Sequence, residues 1–212
     1  MALRAAGPQS LQAVKLYLIT DTTPRAQPLE RFLNDVIGAG VGMVQLREKR
    51  LGDRALLVCA RRFAAACRSA GALFVLNDRL DLALASGADG VHLGQDDLPV
   101  EAARAIAGAG FIIGLSTHSR EQLDAARGGA ADYLGVGPIH ETPTKPGRPA
   151  VGTELVRYAA AQATQPFFAI GGIDPLTLPP ILAAGATRVS VLRWISNADD
   201  PARATRAIMD LM

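Results

Sequence analysis

Acidic residues follow two successive short apolar segments in a way that suits metal binding. Asp78 and Asp97 each come after such a segment, and if the segments are neighbouring strands, both carboxylates face one point. Mg²⁺ favours oxygen ligands and takes one or two carboxylates beside a substrate phosphate. The pair therefore predicts a magnesium site, although either aspartate alone is more simply explained as a helix cap.

Basic residues that suit phosphate binding follow other apolar segments. Arg47 and Lys49 flank Glu48, and Lys145 lies in a loop rich in proline, threonine and glycine. Arginine offers a planar fork to phosphate oxygens and lysine a compact charge. For Lys145, a surface lysine and a Schiff-base lysine of the kind found in barrel aldolases both stay open. Together these residues favour an enzyme that acts on a phosphorylated small molecule.

Glycines and histidines add less information. Gly171 and Gly172 follow a late apolar segment, where barrels bind phosphate on backbone N–H groups, although a tight turn explains them equally well. His92 lies within an apolar segment and is predicted to be packed or hydrogen-bonded rather than catalytic. His118 and His140 are expected in loops near the ligand, and the histidines lack metal-ligand spacing.

Eight short apolar segments alternate with helical patterns along the chain. They predict strands over residues 15–20, 43–46, 73–76, 90–93, 111–115, 133–136, 167–170 and 188–192. Helices are predicted over 29–39, 54–70, 80–86, 101–107, 120–127, 153–163, 176–184 and 201–211. Eight strand–helix units predict a single-domain TIM (β/α)8 barrel over 1–212, with 1–14 as a lead-in. An open doubly wound sheet is the second choice, but it would need a glycine-rich fingerprint after the first strand.

Three helix starts carry residues that can cap the first turn. Asp53, Ser119 and Asp200 each precede a predicted helix and can accept hydrogen bonds from its first N–H groups. We expect all three to be N-caps.

Composition excludes several classes of protein. Hydrophobic residues make up 49% of the 212, and 22 basic against 20 acidic residues leave a net charge of +2 without any charged run. This pattern gives no electrostatic support for a nucleic-acid or membrane partner. Two cysteines and the absence of an apolar leader or a long apolar stretch favour a reduced, cytoplasmic protein.

Six longer motifs, spread over nearly the whole chain, carry a family resemblance. They are YLITD (17–21), VQLREK (44–49), NDRLDLALASGADGVHLGQDDLP (77–99), IIGLSTH (112–118), ADYLGVGPIHETPTKPG (131–147) and AIGGI (169–173). By these motifs the sequence resembles the thiamine-phosphate synthases. The resemblance implies an Mg²⁺-assisted transferase that couples hydroxymethylpyrimidine diphosphate to a thiazole phosphate, releasing pyrophosphate by a dissociative substitution.

The resemblance also implies roles for individual residues. Its pyrimidine-diphosphate positions correspond to Gln45, Arg47, Lys49, Asn77, Ser116 and Lys145, and its magnesium ligands to Asp78 and Asp97. Its thiazole-phosphate positions correspond to Thr142, Thr144, Gly172, Leu192 and Arg193. Leu46, Glu48 and Pro143 complete the substrate-binding set, and Arg47, Ser116 and Lys145 are the expected catalytic residues.

One segment departs from the family pattern. Where the family usually reads Val-Ile-Ser-Ala-Ile after the eighth strand, this chain has Arg193 and Trp194 in place of Ser-Ala. Arg193 would add charge for a phosphate, whereas Trp194 would narrow the pocket. Two other functions stay open: a thiazole aromatase on the same barrel and a non-catalytic regulator that binds a thiamine precursor. The sequence also leaves open whether the chain forms a homo-oligomer.

Overall fold

The chain folds into a closed barrel of parallel strands in a computed structural model that describes residues 10–22, 27–142, 147 and 149–212. Each strand pairs with the next along the chain, and the last pairs with the first. The strands are β1 (Leu16–Thr20), β2 (Met43–Leu46), β3 (Leu73–Asn77), β4 (Gly90–Leu93), β5 (Ile112–Thr117), β6 (Tyr133–Val136), β7 (Phe167–Ile170) and β8 (Val189–Val191). This confirms the predicted TIM barrel and excludes the doubly wound sheet.

Helices follow the strands and surround the barrel. They are α1 (Leu29–Gly38), α2 (Asp53–Ala70), α3 (Leu80–Ser86), α4 (Val100–Ala107), α5 (Arg120–Ala126), α6 (Gly152–Gln162), α7 (Leu178–Ala183), α8 (Arg193–Ser196) and α9 (Pro201–Met209). The sequence-based prediction missed α8, because four residues are too few to show a helical period. Within the described ranges, no helix is long and apolar enough to cross a bilayer.

Side chains alternate between the two faces of the barrel wall. On β1, Leu16 and Leu18 pack outward against the helices, whereas Tyr17 packs inside the barrel with Tyr133 and Phe168. Both faces of a strand are therefore buried, which explains why the strands read as continuous apolar runs. The same alternation decides which polar residues near the strand ends point into the barrel.

Two of the three predicted N-caps are confirmed. The Ser119 side chain accepts a hydrogen bond from Gln122 N, and that of Asp200 accepts one from Arg203 N. The prediction for Asp53 is wrong, because α2 begins at Asp53 itself and Gly52 occupies the cap position. The Asp53 carboxylate instead accepts hydrogen bonds from the Arg79 guanidinium, an ion pair between distant parts of the sequence.

Candidate active site

A cavity of about 460 Å³ opens at the carboxyl ends of the barrel strands. Its lining includes inward-pointing residues from all eight strands: Tyr17, Gln45, Asn77, His92, Ser116, Gly135, Ile170 and Ser190. Loops after the strands contribute the remainder of the wall. A concave site at this end of the barrel matches the place where barrel enzymes bind their ligands.

The structure brings most of the predicted substrate-binding residues to this cavity. Those that line it are Gln45, Arg47, Asn77, Ser116, Thr142, Gly172, Leu192 and Arg193. Those that do not are Leu46, Glu48 and Lys49, and the predicted metal ligands Asp78 and Asp97 also lie outside the lining. The predictions for Pro143, Thr144 and Lys145 fall outside the described residues.

Strand alternation and an ion pair account for two of the residues outside the lining. Gln45 points into the barrel, so its neighbour Leu46 points outward and is fully buried in the strand–helix core. The Glu48 side chain is only 2% exposed, and its carboxylate accepts hydrogen bonds from Arg50 and from the Thr22 hydroxyl. The bonds from Arg50 lower the pKa of Glu48 to about 2. Glu48 thus holds together the loops after β1 and β2 instead of reaching into the cavity.

The predicted metal ligands form an acidic pair beside the cavity. Asp78 follows the lining residue Asn77, and the Asp97 carboxylate accepts a hydrogen bond from the backbone N of Gly94, another lining residue, at 2.7 Å. Burial, together with the hydrogen bond and charge of Asp97, raises the pKa of Asp78, while Lys49 at 3.5 Å opposes the shift. A partly buried carboxyl group whose charge is disfavoured beside a second carboxyl group belongs to a donor set that a divalent cation would stabilise.

This donor set suits magnesium better than a metal held by protein alone. Among the described residues, no group of three or more histidine, cysteine, aspartate or glutamate side chains could hold a metal ion. Mg²⁺ does not need such a cage, because it keeps waters and uses substrate phosphate oxygens to complete its octahedron. Asp78 and Asp97 therefore fit Mg²⁺.

Two arginine side chains offer charge to an anionic ligand. The guanidinium groups of Arg47, after β2, and Arg193, after β8, both line the cavity. Neither guanidinium makes a hydrogen bond or an ion pair with another described residue. A planar guanidinium without a protein partner can bind phosphate through two parallel hydrogen bonds.

The turn after β7 provides a second feature suited to an anion. Gly171 and Gly172 adopt φ values of 112° and 63°, which side chains rarely tolerate, and both line the cavity. A Cβ on Gly171 would lie 2.6 Å from Pro138 Cα, so the backbone of this turn packs directly on the loop after β6. The turn therefore presents backbone rather than side chain to the cavity.

Trp194 stands at the cavity wall without closing it. The residue lines the cavity and is 43% exposed, and its indole Nε1 donates a hydrogen bond to the carbonyl oxygen of Ala204 on α9. His118 also lines the cavity, as expected for a loop histidine. His140 does not, although Gly172 packs against its Cβ.

A hydrogen-bonded chain crosses the barrel interior and includes four residues that line the cavity. Gln45 Nε2 donates to Tyr17 Oη at 2.5 Å, the hydroxyls of Tyr17 and Tyr133 lie 2.9 Å apart, and His92 Nδ1 lies 3.0 Å from Tyr133 Oη. His92 Nε2 then lies 2.9 Å from Ser116 Oγ. His92 is hydrogen-bonded, as predicted, but the sequence did not indicate that it connects Tyr133 inside the barrel to the cavity residue Ser116.

Comparison with known proteins identifies the family of this chain. Residues 16–195 match the family model described as thiamine monophosphate synthase. A thiamine-phosphate synthase from Acidothermus cellulolyticus is 54% identical over 197 residues, covering 92% of this chain and 93% of that protein. One from Gloeobacter violaceus is 49% identical over 195 residues and covers 92% of this chain, but the match spans only 56% of that longer protein.

A solved structure agrees in fold as well as in sequence. The thiamine phosphate pyrophosphorylase from Pyrococcus furiosus superposes with a TM-score of 0.85 at 32% identity. The match covers 93% of this chain and 95% of that one. The similarity therefore extends over nearly the whole barrel.

Proposed function

Because the chain belongs to the thiamine-phosphate synthase family, we propose that it couples hydroxymethylpyrimidine diphosphate to a thiazole phosphate, giving thiamine phosphate and pyrophosphate. Such an enzyme is a transferase that forms a carbon–nitrogen bond. The reaction needs one cavity that holds two phosphorylated substrates side by side.

The observation that carries this proposal is that the cavity has two separate regions suited to anions. One lies after β2–β4, where Arg47 lines the cavity and Lys49, outside the lining, stands beside Asp78 of the acidic pair. The other lies at the glycine turn after β7 and at Arg193 after β8. In the closed barrel β1 separates β8 from β2, so the two regions flank a single strand. A diphosphate at the first and a monophosphate at the second would bring both rings into the shared cavity.

The chemistry asks the protein to stabilise a leaving group and to align two reactants. The bond between the pyrimidine methylene carbon and the diphosphate oxygen breaks, and its electron pair leaves with pyrophosphate. The amino-pyrimidine ring spreads the positive charge that remains, and the lone pair of the thiazole nitrogen forms the new bond. That nitrogen is already a free nucleophile, so no general base is needed to activate it.

The residues of this chain divide that work. Arg47 and Lys49 offset the charge that develops on the departing pyrophosphate, and Lys145 is assigned the same role. Gln45, Asn77 and Ser116 orient the pyrimidine, and alignment of the two rings supplies much of the remaining acceleration. Asp78 and Asp97 would hold Mg²⁺, which when bound neutralises charge on the diphosphate.

The thiazole phosphate is assigned to the second anion region. Thr142, Gly172, Leu192 and Arg193 line that part of the cavity, and Thr144 joins them by its place in the sequence. We further place the protein in the cytoplasm, where its two free thiols, Cys59 and Cys67, would stay reduced.

Substrate omission separates the synthase from its alternatives. With both substrates and Mg²⁺, we expect thiamine phosphate by mass spectrometry, and none when either substrate is left out. Conversion of a thiazole precursor without the pyrimidine would identify the aromatase. Tight binding of thiazole phosphate without any conversion would identify the regulator and overturn the proposal.

A further inference from the structure

The chain of hydrogen bonds has one direction in which every hydroxyl proton finds an acceptor. An amide nitrogen can only donate, so Tyr17 Oη accepts from Gln45; Tyr133 Oη is then the acceptor that the described residues offer to the Tyr17 proton, and we assign the proton to that bond. Tyr133 then donates to His92 Nδ1, which leaves the proton of the neutral imidazole on Nε2. His92 Nε2–H donates to Ser116 Oγ, so the hydroxyl proton of Ser116 is free to point into the cavity.

The surroundings keep this chain in place. Burial raises the pKa of the phenols of Tyr17 and Tyr133, so both hydroxyls stay protonated and can each donate a hydrogen bond. A Cβ on Gly114 would lie 2.1 Å from Tyr133 Cζ, and one on Gly135 would lie 3.3 Å from His92 Cε1. Glycine at these two positions thus leaves the space that the phenol of Tyr133 and the imidazole of His92 occupy.

We propose that His92 is a positioning residue whose neutral imidazole, held by Tyr133, makes Ser116 a hydrogen-bond donor toward the pyrimidine ring. This inference rests on the proposed function, which assigns Gln45 and Ser116 to the pyrimidine. Gln45 uses its amide N–H in the chain and keeps its carbonyl oxygen as an acceptor. The two ends of the chain therefore offer one acceptor and one donor, as an amino group and a ring nitrogen require.

Two substitutions at His92 of similar size separate positioning from packing. In His92→Gln the side-chain nitrogen can reach the place of Nε2 and still donate to Ser116. In His92→Asn the shorter amide reaches only the place of Nδ1, beside Tyr133. We expect kcat of His92→Gln within about threefold of wild type and that of His92→Asn about tenfold lower or more.

Tyr133→Phe tests the chain from a residue that does not line the cavity. The substitution conserves volume and removes only the hydroxyl that donates to His92 Nδ1. We expect kcat to fall several-fold, with a smaller change in KM for the thiazole phosphate. Thermal unfolding of each variant gives the accompanying loss of stability.

A double-mutant cycle with Ser116→Ala tests whether His92 acts through Ser116. If His92 acts through Ser116, His92→Asn and Tyr133→Phe lower kcat in the wild-type background but by less than about twofold beside Ser116→Ala. If a double variant with Ser116→Ala loses kcat by the full product of the two single-variant factors, the inference is overturned. Equal kcat for His92→Gln and His92→Asn would also overturn it. A wild-type protein that forms no thiamine phosphate would instead contradict the proposed function, so the two failures are distinguishable.

Discussion

Lys49 Nζ lies 3.5 Å from Asp78 Oδ2. This one cation does not cancel the effects of burial and of the neighbouring Asp97, since the pKa of Asp78 stays above its ordinary value. A raised pKa in the folded state means that stability is greatest while Asp78 is protonated and is lost as the pH rises through that pKa. At neutral pH without metal, the charged pair thus weakens the fold.

Asp78→Asn should therefore change stability in opposite directions without and with magnesium. In metal-free protein at neutral pH, we expect the variant to unfold at a temperature a few degrees higher than wild type, because it removes a charge that burial and the neighbouring Asp97 disfavour. Asparagine also tolerates the positive φ of 63° at this position. Added Mg²⁺ should raise the melting temperature of wild type but not of the variant. An equal response to Mg²⁺ in both proteins would remove Asp78 from the metal site.

Arg47→Ala should affect chiefly the pyrimidine substrate. Loss of this guanidinium should lower kcat/KM for the pyrimidine diphosphate by about a hundredfold, and Arg47→Lys should restore only part of it. Steady-state kinetics with the thiazole phosphate at saturation measures this. Arg31→Ala, at a 75%-exposed arginine on α1, is the control. Arg47→Ala with rates like those of the control would contradict the assignment.

Arg193→Ala should affect the other substrate. We expect KM for the thiazole phosphate to rise about tenfold, since one charge-assisted phosphate contact is lost, with KM for the pyrimidine diphosphate changed less than about twofold. Kinetics at two ionic strengths would show a weaker salt dependence in the variant. If both KM values stay at the wild-type level, the glycine turn alone holds the phosphate.

Glu48→Gln should reduce stability rather than substrate binding. Because the folded-state pKa of Glu48 is lowered from 4.5 to about 2, the stability from its bonds to Arg50 is present above pH 4.5 and is lost as the pH falls toward 2. We expect a free energy of unfolding about 1–2 kcal/mol lower than wild type near neutral pH, a value that allows for the exposed Arg50. Urea unfolding should show this difference shrinking in acid. A difference independent of pH would mean that the ion pair is not its source.

The sequence predicted the barrel because each strand is short, apolar on both faces and followed by a helix. Ser119 and Asp200 were predictable as caps because a cap bonds to residues only a few positions away. Asp53 was not, because its partner Arg79 comes from a different loop. Local chemistry is visible in a sequence, whereas a competing partner from elsewhere is not.

The same distinction applies to the cavity. Residues at strand ends identified eight of the lining residues, but alternation within β2 turns Leu46 away, and Arg50 holds Glu48. The link between Tyr17 and Tyr133 joins residues 116 positions apart on strands that meet only inside a closed barrel. Nothing in either segment alone indicates that partnership.

The most direct test of the whole account is the initial rate of thiamine phosphate formation as a function of Mg²⁺ concentration, for wild type beside Asp78→Asn. We expect product from wild type that requires both substrates and saturates with Mg²⁺, and a variant that needs far more Mg²⁺ to reach a lower rate. No product from folded wild-type protein at any Mg²⁺ concentration would contradict the proposed synthase. Equal Mg²⁺ dependence in the two proteins would contradict the metal site.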